Sequence, residues 1–460
     1  MSLLNFISPR GGTDDPKEDI RIGANTVSRR QQELFDFKAK LHEEVISKID
    51  LDVLLKFDSD TARSEVARFI GALVNQTSFP LNLAEKQQIV KEVVDETFGL
   101  GPLEPLLEDP TIDEILVNNY QTVFIERGGK LQRTQIRFKD NTHLRHVINR
   151  IVARVGRRID DSSPMIDARL PDGSRVNAVI PPLALDGPCL SIRRFKKIPL
   201  TTRDLVDFGT LSPEILFLLQ VAVQAKINMV ISGGTGSGKT TLLNVLSAFI
   251  PADERIVTIE DAAELQLQQP HVVRLETRPA NMEGRGGVAQ RDLFKNCLRM
   301  RPDRIIVGEA RGAEALDMLQ AMNTGHDGSM TTVHANSPRD ALSRIATMVL
   351  MSNTNIDLRA INRQIASALN LVIQTRRYPD GVRRIESISE ITGMEQEVIT
   401  MQEIVAFSVR GTTPDGKPVG AFKLYAVRPR FLERAKELGV SLTQTLEEFP
   451  FAKGEGKEKP

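Results

Sequence analysis

The sequence predicts an α/β protein: a doubly wound sheet in the C-terminal half, preceded by a small α+β domain and an N-terminal helical domain. Three observations carry this. Residues 210–440 alternate apolar strands with helical segments, and the runs NMVIS, RIVTIE, RIIVGE and GSMTTVH read as buried strands. Such alternation calls for helices on both faces of a parallel sheet. Residues 101–195 hold short β-rich runs around one amphipathic helix, and residues 28–100 place apolar side chains at spacings of three and four.

The elements follow in chain order. Residues 1–27 are polar and rich in Gly, Pro and Asp, and are expected to be disordered. Leu34, Phe37, Leu41, Val45 and Ile49 mark the face of a first helix, and Val66, Phe69, Ile70, Leu73 and Val74 that of a second. A third begins near Asn82 as N-cap, buries Ile89, Val90, Val93 and Val94, and stops at Gly99. Residues 28–100 thus read as a helical bundle suited to docking or scaffolding. In the α+β domain, 101–195, the strands are EILVN, TVFIE and TQIRF, with a turn at Gly128-Gly129. A helix follows from Asp140 to Gly156 with Leu144, Val147, Ile148, Ile151 and Val155 inward. RLPDGSRVNAVI makes a hairpin at Asp172-Gly173, and CLSIRRF a further strand. Residues 196–210 are the expected hinge to the doubly wound domain at 211–440, where Ser212-Pro213 opens a helix in the N-cap and N1 order. Residues 441–460 form a tail ending in KGEGKEKP, also expected to be disordered.

Bulk composition excludes several classes. Sixty basic and sixty acidic residues give a formal net charge of zero, which argues against a chain whose main task is coating nucleic acid. There is no apolar run of transmembrane length and no secretory signal pattern at the N-terminus. Cys189 and Cys297 are the two cysteines, too few for a disulfide framework or a Cys-rich zinc site. These features predict a protein of a reducing cytoplasm.

The decisive motif is GGTGSGKT: Gly233, Gly234, Thr235, Gly236, Ser237, Gly238, Lys239 and Thr240, with Thr241 next. It fits the phosphate-loop pattern and lies between an apolar strand and a helix, as the chemistry demands. Glycines let successive backbone N–H groups turn toward phosphate oxygens, and the helix start adds its own unpaired N–H groups. Lys239 reaches the β- and γ-phosphates of ATP, and Thr240 offers a hydroxyl to Mg²⁺. RIVTIE ends in Glu260-Asp261, with Glu264 three residues on, and RIIVGE delivers Glu309. Open α/β sheets bind ligands at such strand ends. One carboxylate is expected to organise Mg²⁺ and another to activate water. Gly308 stands where many P-loop enzymes place an Asp, so the metal is expected to be held through water by Glu309 and Thr240. His326 and His334 bracket GSMTTVH and are candidate sensors of the γ-phosphate.

In that order the motifs resemble those of the type II/type IV secretion ATPases, in particular the CpaF-like motors of tight-adherence (Flp-type) pili. ISGGTGSGKTTLLN is similar to that family's phosphate loop, RIVTIEDAAELQL to its aspartate box, RPDRIIVGEARGAEALDMLQAMNTGHDGS to its Walker-B region and TGHDGSMTTVHANSP to its histidine box. The resemblance runs over about residues 90–430. It implies a RecA-like ATPase domain behind a PAS-like α+β domain, a homo-hexamer, and nucleotide bound between the two domains. It also implies a cytoplasmic motor, peripheral at the inner membrane, that drives pilus assembly or retraction, or secretion, through membrane platform proteins. By position Glu264 looks like the general base, Glu309 like the Walker-B glutamate and His334 like the sensing histidine. Arg175, Arg193 and Arg194 lie where the family's N-terminal lobe supplies arginines to phosphate. The tetracysteine insert of many type II motors is missing, and residues 28–100 are not matched in the short retraction motors.

Three rivals stand beside this reading. A type IV secretion or conjugation ATPase would share the site. A nucleic-acid translocase is kept open by Arg150, Arg154, Arg157, Arg158 and the run 193–197, although aromatic residues are only 5% of the chain and offer few stacking platforms, so no nucleic-acid partner is expected. A scaffold gated by nucleotide without turnover is opposed by Glu264 and Glu309 together.

Overall fold

The structure, a computed structural model, describes residues 29–48, 59–170, 172–194, 200–278, 280, 285–352, 356–414, 418–440 and 458–459. The expectations for residues 1–27, for Ile49, for residue 195 of the α+β domain, for 196–199 of the hinge and for most of the tail lie outside them. The chain divides into two compact units, residues 1–105 and 106–460.

The first unit is helical. Arg29–Lys48, Ser59–Gln76 and Leu83–Phe98 are its long helices. Leu41, Val45, Val66, Ile70, Val74, Ile89 and Val93 close into one core, with Leu34, Phe37, Val90 and Val94 packed at its edge. Asn82 caps the third helix reciprocally with Glu85: the Asn82 side chain accepts the Glu85 N–H at 2.8 Å, and the Glu85 carboxylate accepts that of Asn82 at 2.9 Å.

The second unit contains two sheets. The first runs in the order β3-β2-β1-β6-β5-β4 and is antiparallel throughout: β1 (Ile112–Asn119), β2 (Thr122–Arg127), β3 (Lys130–Arg133), β4 (Met165–Arg169), β5 (Arg175–Val179) and β6 (Cys189–Arg193). Alternation sorts its faces. Ile115, Val117, Val123, Ile125, Val176, Ala178, Leu190 and Ile192 are buried, as are Leu144, Val147, Ile148 and Ile151 of the helix Asn141–Ala153. Glu114, Asn177, Arg175, Ser191 and Arg193 line a cavity of about 310 Å³ on the other face. The third strand sits at 130–133, and TQIRF is irregular. The Thr134 N–H goes to Val123 O and that of Phe138 to Tyr120 O, so the chain leaves the ladder there and tucks Phe138 inside. Of the expected hinge, Thr202–Asp207 is a short helix capped by Thr201.

The second sheet has the order β16-β15-β14-β13-β12-β7-β11-β10-β8-β9. Its strands are β7 (Met229–Gly233), β8 (Ile256–Glu260), β9 (Val272–Glu276), β10 (Arg304–Val307), β11 (Met330–Val333), β12 (Leu371–Arg377), β13 (Arg383–Glu395), β14 (Val398–Thr412), β15 (Pro418–Leu424) and β16 (Glu458–Lys459). Strands β12, β7, β11, β10, β8 and β9 are parallel. Alternate residues feed two cores, Met229 and Ile231 on one face and Val230 on the other, so both faces are covered. From β12 to β16 the pairing is antiparallel. This corrects the expectation of helix–strand alternation up to residue 440: the sheet is mixed, and its last third is a meander.

Below the parallel strands lies a polar floor. Arg304, fully buried, donates through Nε and Nη2 to both oxygens of Glu254 at 2.6 and 3.1 Å, and through Nη1 to Val223 O at 2.8 Å. Asn228 donates to Ala368 O at 2.8 Å and accepts the Ser329 N–H at 3.0 Å.

Candidate active site

Strand β7 ends in the phosphate loop, and the helix Lys239–Ser247 leaves it. Gly236 and Gly238 have φ of +69° and +92°, conformations that favour glycine. At Gly233 a Cβ would fall 2.5 Å from Thr375 O, so β12 allows no side chain there. Ser237 points inward, its hydroxyl 2.9 Å from both Gly234 O and Thr375 Oγ1, which fastens the loop to β12. Thr240 and Thr241 lie in the first turn of the helix.

Lys239 is buried and donates to Gly234 O at 2.9 Å. Its Nζ is also 3.4 Å from His334 Nδ1, at the end of β11, and His334 Nε2 is 3.2 Å from Glu309 Oε1. The imidazole therefore bridges lysine and carboxylate, with Nδ1 accepting and Nε2 donating. Burial, followed by the Lys239 charge, pushes the His334 pKa down, which favours the neutral ring. Burial lowers the Lys239 pKa to about 8; Glu309 opposes the shift, and the Arg193 charge adds to it. An anion in the loop would reverse that shift.

Glu309 Oε2 accepts from Arg311 at 2.7 Å, and Arg311 reaches Asp261 at 3.3 Å. Burial raises the Asp261 pKa. Arg311 was not among the residues singled out by sequence; its place two residues after Glu309 is the signal that was available. Across the cleft, Arg175 of β5 pairs with Glu264 at 3.1 Å and with Asp167 at 3.4 Å. Arg193 of β6 lies on the same sheet face, 3.6 Å from Glu114. Arg169 of β4 pairs with Glu276 of β9 at 3.2 Å, and Arg377 of β12 donates to Gly129 O in the β2–β3 turn. The first sheet thus spans the C-terminal ends of the parallel strands.

Two sequence candidates fall elsewhere. Alternation along β6 turns Arg194 to the face opposite Arg193, where it donates to Asp109 O. His326 precedes β11, at the end of the strand remote from the loop. Its backbone N–H and ring Nδ1 both meet Ala321 O, closing the helix Glu314–Met322. It is a helix-end residue, and only His334 faces Lys239.

Glu260 explains the glycine at 308. Its carboxyl is buried at the end of β8, where Oε2 accepts the N–H groups of Glu264 and Leu265 at 2.7 and 2.9 Å. A Cβ on Gly308 would fall 2.9 Å from Glu260 Cγ. An aspartate at 308 and a glutamate at 260 would compete for one space. Burial pushes the Glu260 carboxyl up to about 7, against the two N–H donors that pull it down. Raised above its ordinary value of 4.5, it favours folding fully below that pH, and the contribution is lost as pH rises through about 7. Glu260→Gln does not ionise. Relative to wild type it is expected to gain about 3 kcal/mol of stability between pH ~4.5 and pH ~8, read from urea midpoints. Parallel midpoints over that range would show that Glu260 ionises as readily folded as unfolded.

The oxygen donors suit Mg²⁺. Among the described residues no group of three or more His, Cys, Asp or Glu is placed to hold a metal. Thr240 and Glu309 offer one hydroxyl and one carboxylate, a sparse set that fits an ion retaining water and phosphate ligands.

With this geometry in hand, comparison with known proteins gives concordant matches. The family described as "Type II/IV secretion system protein" matches residues 96–402. A Mycobacterium tuberculosis protein named for conjugal transfer is 40% identical over 309 residues, 66% of this chain and 87% of that protein. The type IV secretion system protein VirB11 of Brucella suis is 34% identical over 332 residues, 66% of this chain and 91% of its own length. The crystal structure of the VirB11 ATPase from the Brucella suis type IV secretion system, in complex with sulphate, is 32% identical and covers 64% of this chain and 97% of that one, with a TM-score of 0.35.

Proposed function

We propose that this chain, which belongs to the type II/IV secretion system protein family, is a Mg²⁺-dependent ATPase that powers a pilus or secretion machine. One observation carries the reading: the phosphate-loop Lys239 and the carboxylate Glu309 face a sheet that brings Arg175 and Arg193 across the same cleft. The phosphates of ATP would lie in the loop and displace the Gly234 carbonyl and His334 from Lys239. Arg175 and Arg193 would close onto the phosphate charge. An anion that draws Arg175 away frees Glu264. Glu264 would then take a proton from water as the water oxygen bonds to the γ-phosphorus and the bridging P–O bond to ADP breaks. Thr240 and Glu309 would hold Mg²⁺, which offsets charge on the β- and γ-phosphates when bound. His334 links Lys239 to Glu309 and so is placed to register whether phosphate is present.

The finer reading is a homo-hexameric motor of tight-adherence (Flp-type) pili, cytoplasmic and peripheral at the inner membrane, acting through platform proteins. The resemblance of the four motif segments supports it. A second reading, an engine of type IV secretion or conjugation, is favoured by the relatives named for conjugal transfer and type IV secretion. Loss of surface pili on deletion of the gene would favour the first; loss of conjugal or effector transfer with pili intact would favour the second.

The activity is tested by Mg²⁺-dependent ATP hydrolysis against protein concentration, with Lys239→Ala as control. Specific activity is expected to rise with concentration, as assembly completes the sites, and to vanish in the variant. Hydrolysis in both proteins alike would remove the phosphate loop from the reaction. Nucleotide binding without hydrolysis at any concentration would favour the nucleotide-gated scaffold.

A further inference from the structure

Arg383, at the start of β13, lies far in sequence from every motif of the site, yet its Nε donates to Gly236 O at 2.8 Å. Its side-chain carbons run along the loop: a Cβ on Gly238 would fall 3.2 Å from Arg383 Cδ. The two loop glycines it touches are those with φ of +69° and +92°. Glycine has the largest conformational freedom to lose, so such a loop is costly to order without an outside restraint. A bond to the outward carbonyl of Gly236 fixes the plane of the Gly236–Ser237 peptide. The N–H of that peptide then points inward, where it meets only a 3.4 Å contact with Gly234 O.

Charge sets Arg383 apart from its neighbours. Arg376 pairs with Glu386 at 2.9 Å, Arg384 with Asp380 at 2.8 Å, Arg175 with Glu264 and Arg311 with Glu309. Among the described residues, no carboxylate lies within ion-pair distance of Arg383. An uncompensated guanidinium beside a ring of inward N–H groups raises the affinity of that ring for an anion.

We propose that Arg383 is a further positioning residue for nucleoside di- and triphosphates, holding the phosphate loop in its anion-binding form from outside and adding a fixed positive charge next to it. The proposal rests on the ATPase reading but concerns binding. It predicts equal effects on ATP and ADP, which share the phosphates nearest the loop.

The test is binding of fluorescent ATP and ADP analogues to the full chain, with steady-state hydrolysis alongside. Arg383→Ala is expected to raise Kd for both nucleotides about 10-fold, the usual weight of a charge-assisted hydrogen bond. KM for ATP should rise with it, while kcat moves far less and the nucleotide-free melting temperature stays put. Arg383→Lys, which keeps the charge and reaches the same carbonyl, is expected to recover most of the affinity. An unchanged Kd in Arg383→Ala, or a Lys variant as weak as the Ala variant, overturns the proposal. Wild-type protein that binds neither nucleotide sinks the ATPase reading itself, which separates the two failures.

Discussion

Glu264→Gln is expected to lower ATP turnover at saturating substrate by ~10²–10⁴-fold, the ordinary weight of a general base. The substitution keeps the side chain's shape and its hydrogen-bonding oxygen, and removes only its capacity to take a proton from water. The loop that carries residue 264 should stay in place, because its N–H is anchored on the Glu260 carboxyl and not on its own side chain. Binding should move the other way. Glu264 pairs with Arg175 at 3.1 Å, with about a quarter of each side chain exposed. On the proposed reading, ATP would break that pair to engage the arginine. A glutamine holds Arg175 less strongly, so ATP should bind about 2- to 5-fold more tightly, the scale of one partly exposed ion pair. Reduced turnover with tightened binding is the signature of a residue that is both base and counter-ion. Turnover within ~3-fold of wild type would remove Glu264 from the base role and move attention to Glu309 and Asp261. Lowered turnover with weakened binding would mean that Glu264 itself helps to hold the nucleotide.

The sequence made the loop legible because its chemistry is local: eight consecutive residues specify glycine conformations, a lysine and a hydroxyl. The carboxylates Glu264 and Glu309 were legible for a related reason, since both follow buried strands whose C-terminal ends share one edge of the sheet. His326 and His334 flank the same strand and look equivalent in sequence. They differ because a parallel strand has a functional end and a remote end, and only direction within the sheet tells them apart. Arg193 and Arg194 show the same effect at the scale of one residue, where the pleat sends neighbours to opposite faces. Arg383 was invisible for a different reason: the bond to Gly236 spans 147 positions. Its signal is the basic cluster on either side of the Pro379-Asp380-Gly381 turn, which a hairpin carries to the loop. The meander from β13 to β15 was missed because its strands are only partly buried, and half-exposed runs such as Val398–Thr412 lack the apolar continuity of β7 or β10.

The largest stability effect is expected from Arg304→Ala, about 3–5 kcal/mol in chemical unfolding. Arg304 opens β10, Glu254 lies just before β8, and the carbonyl of Val223 lies in the helix Pro213–Gln224, which leads into β7. Its Nη1 also lies 3.4 Å from the carbonyl of Gly328, just before β11. One guanidinium therefore joins the N-terminal ends of β7, β8, β10 and β11, four strands of the sheet whose other ends carry the candidate site. Truncation to alanine leaves the Glu254 carboxylate buried with Lys226, at 3.6 Å, as its remaining ion-pair partner among the described residues, strips Val223 O of its side-chain donor, and empties a side chain's volume. Desolvated charge left without its partner, and not the loss of attraction, makes such truncations costly. A sharper test follows from the same reasoning. Replacing Arg304 by Met and Glu254 by Leu together removes the charges while keeping the volume, and should recover most of the loss, because well-packed apolar pairs often match a buried ion pair. The chain has no tryptophan, so far-ultraviolet circular dichroism in urea is the suitable measurement. An Arg304→Ala midpoint equal to wild type would mean that water reaches Glu254 when the arginine is gone. A double variant as unstable as Arg304→Ala would mean that the hydrogen bonds to the carbonyls of Val223 and Gly328, and not the buried charge, hold this end of the sheet together.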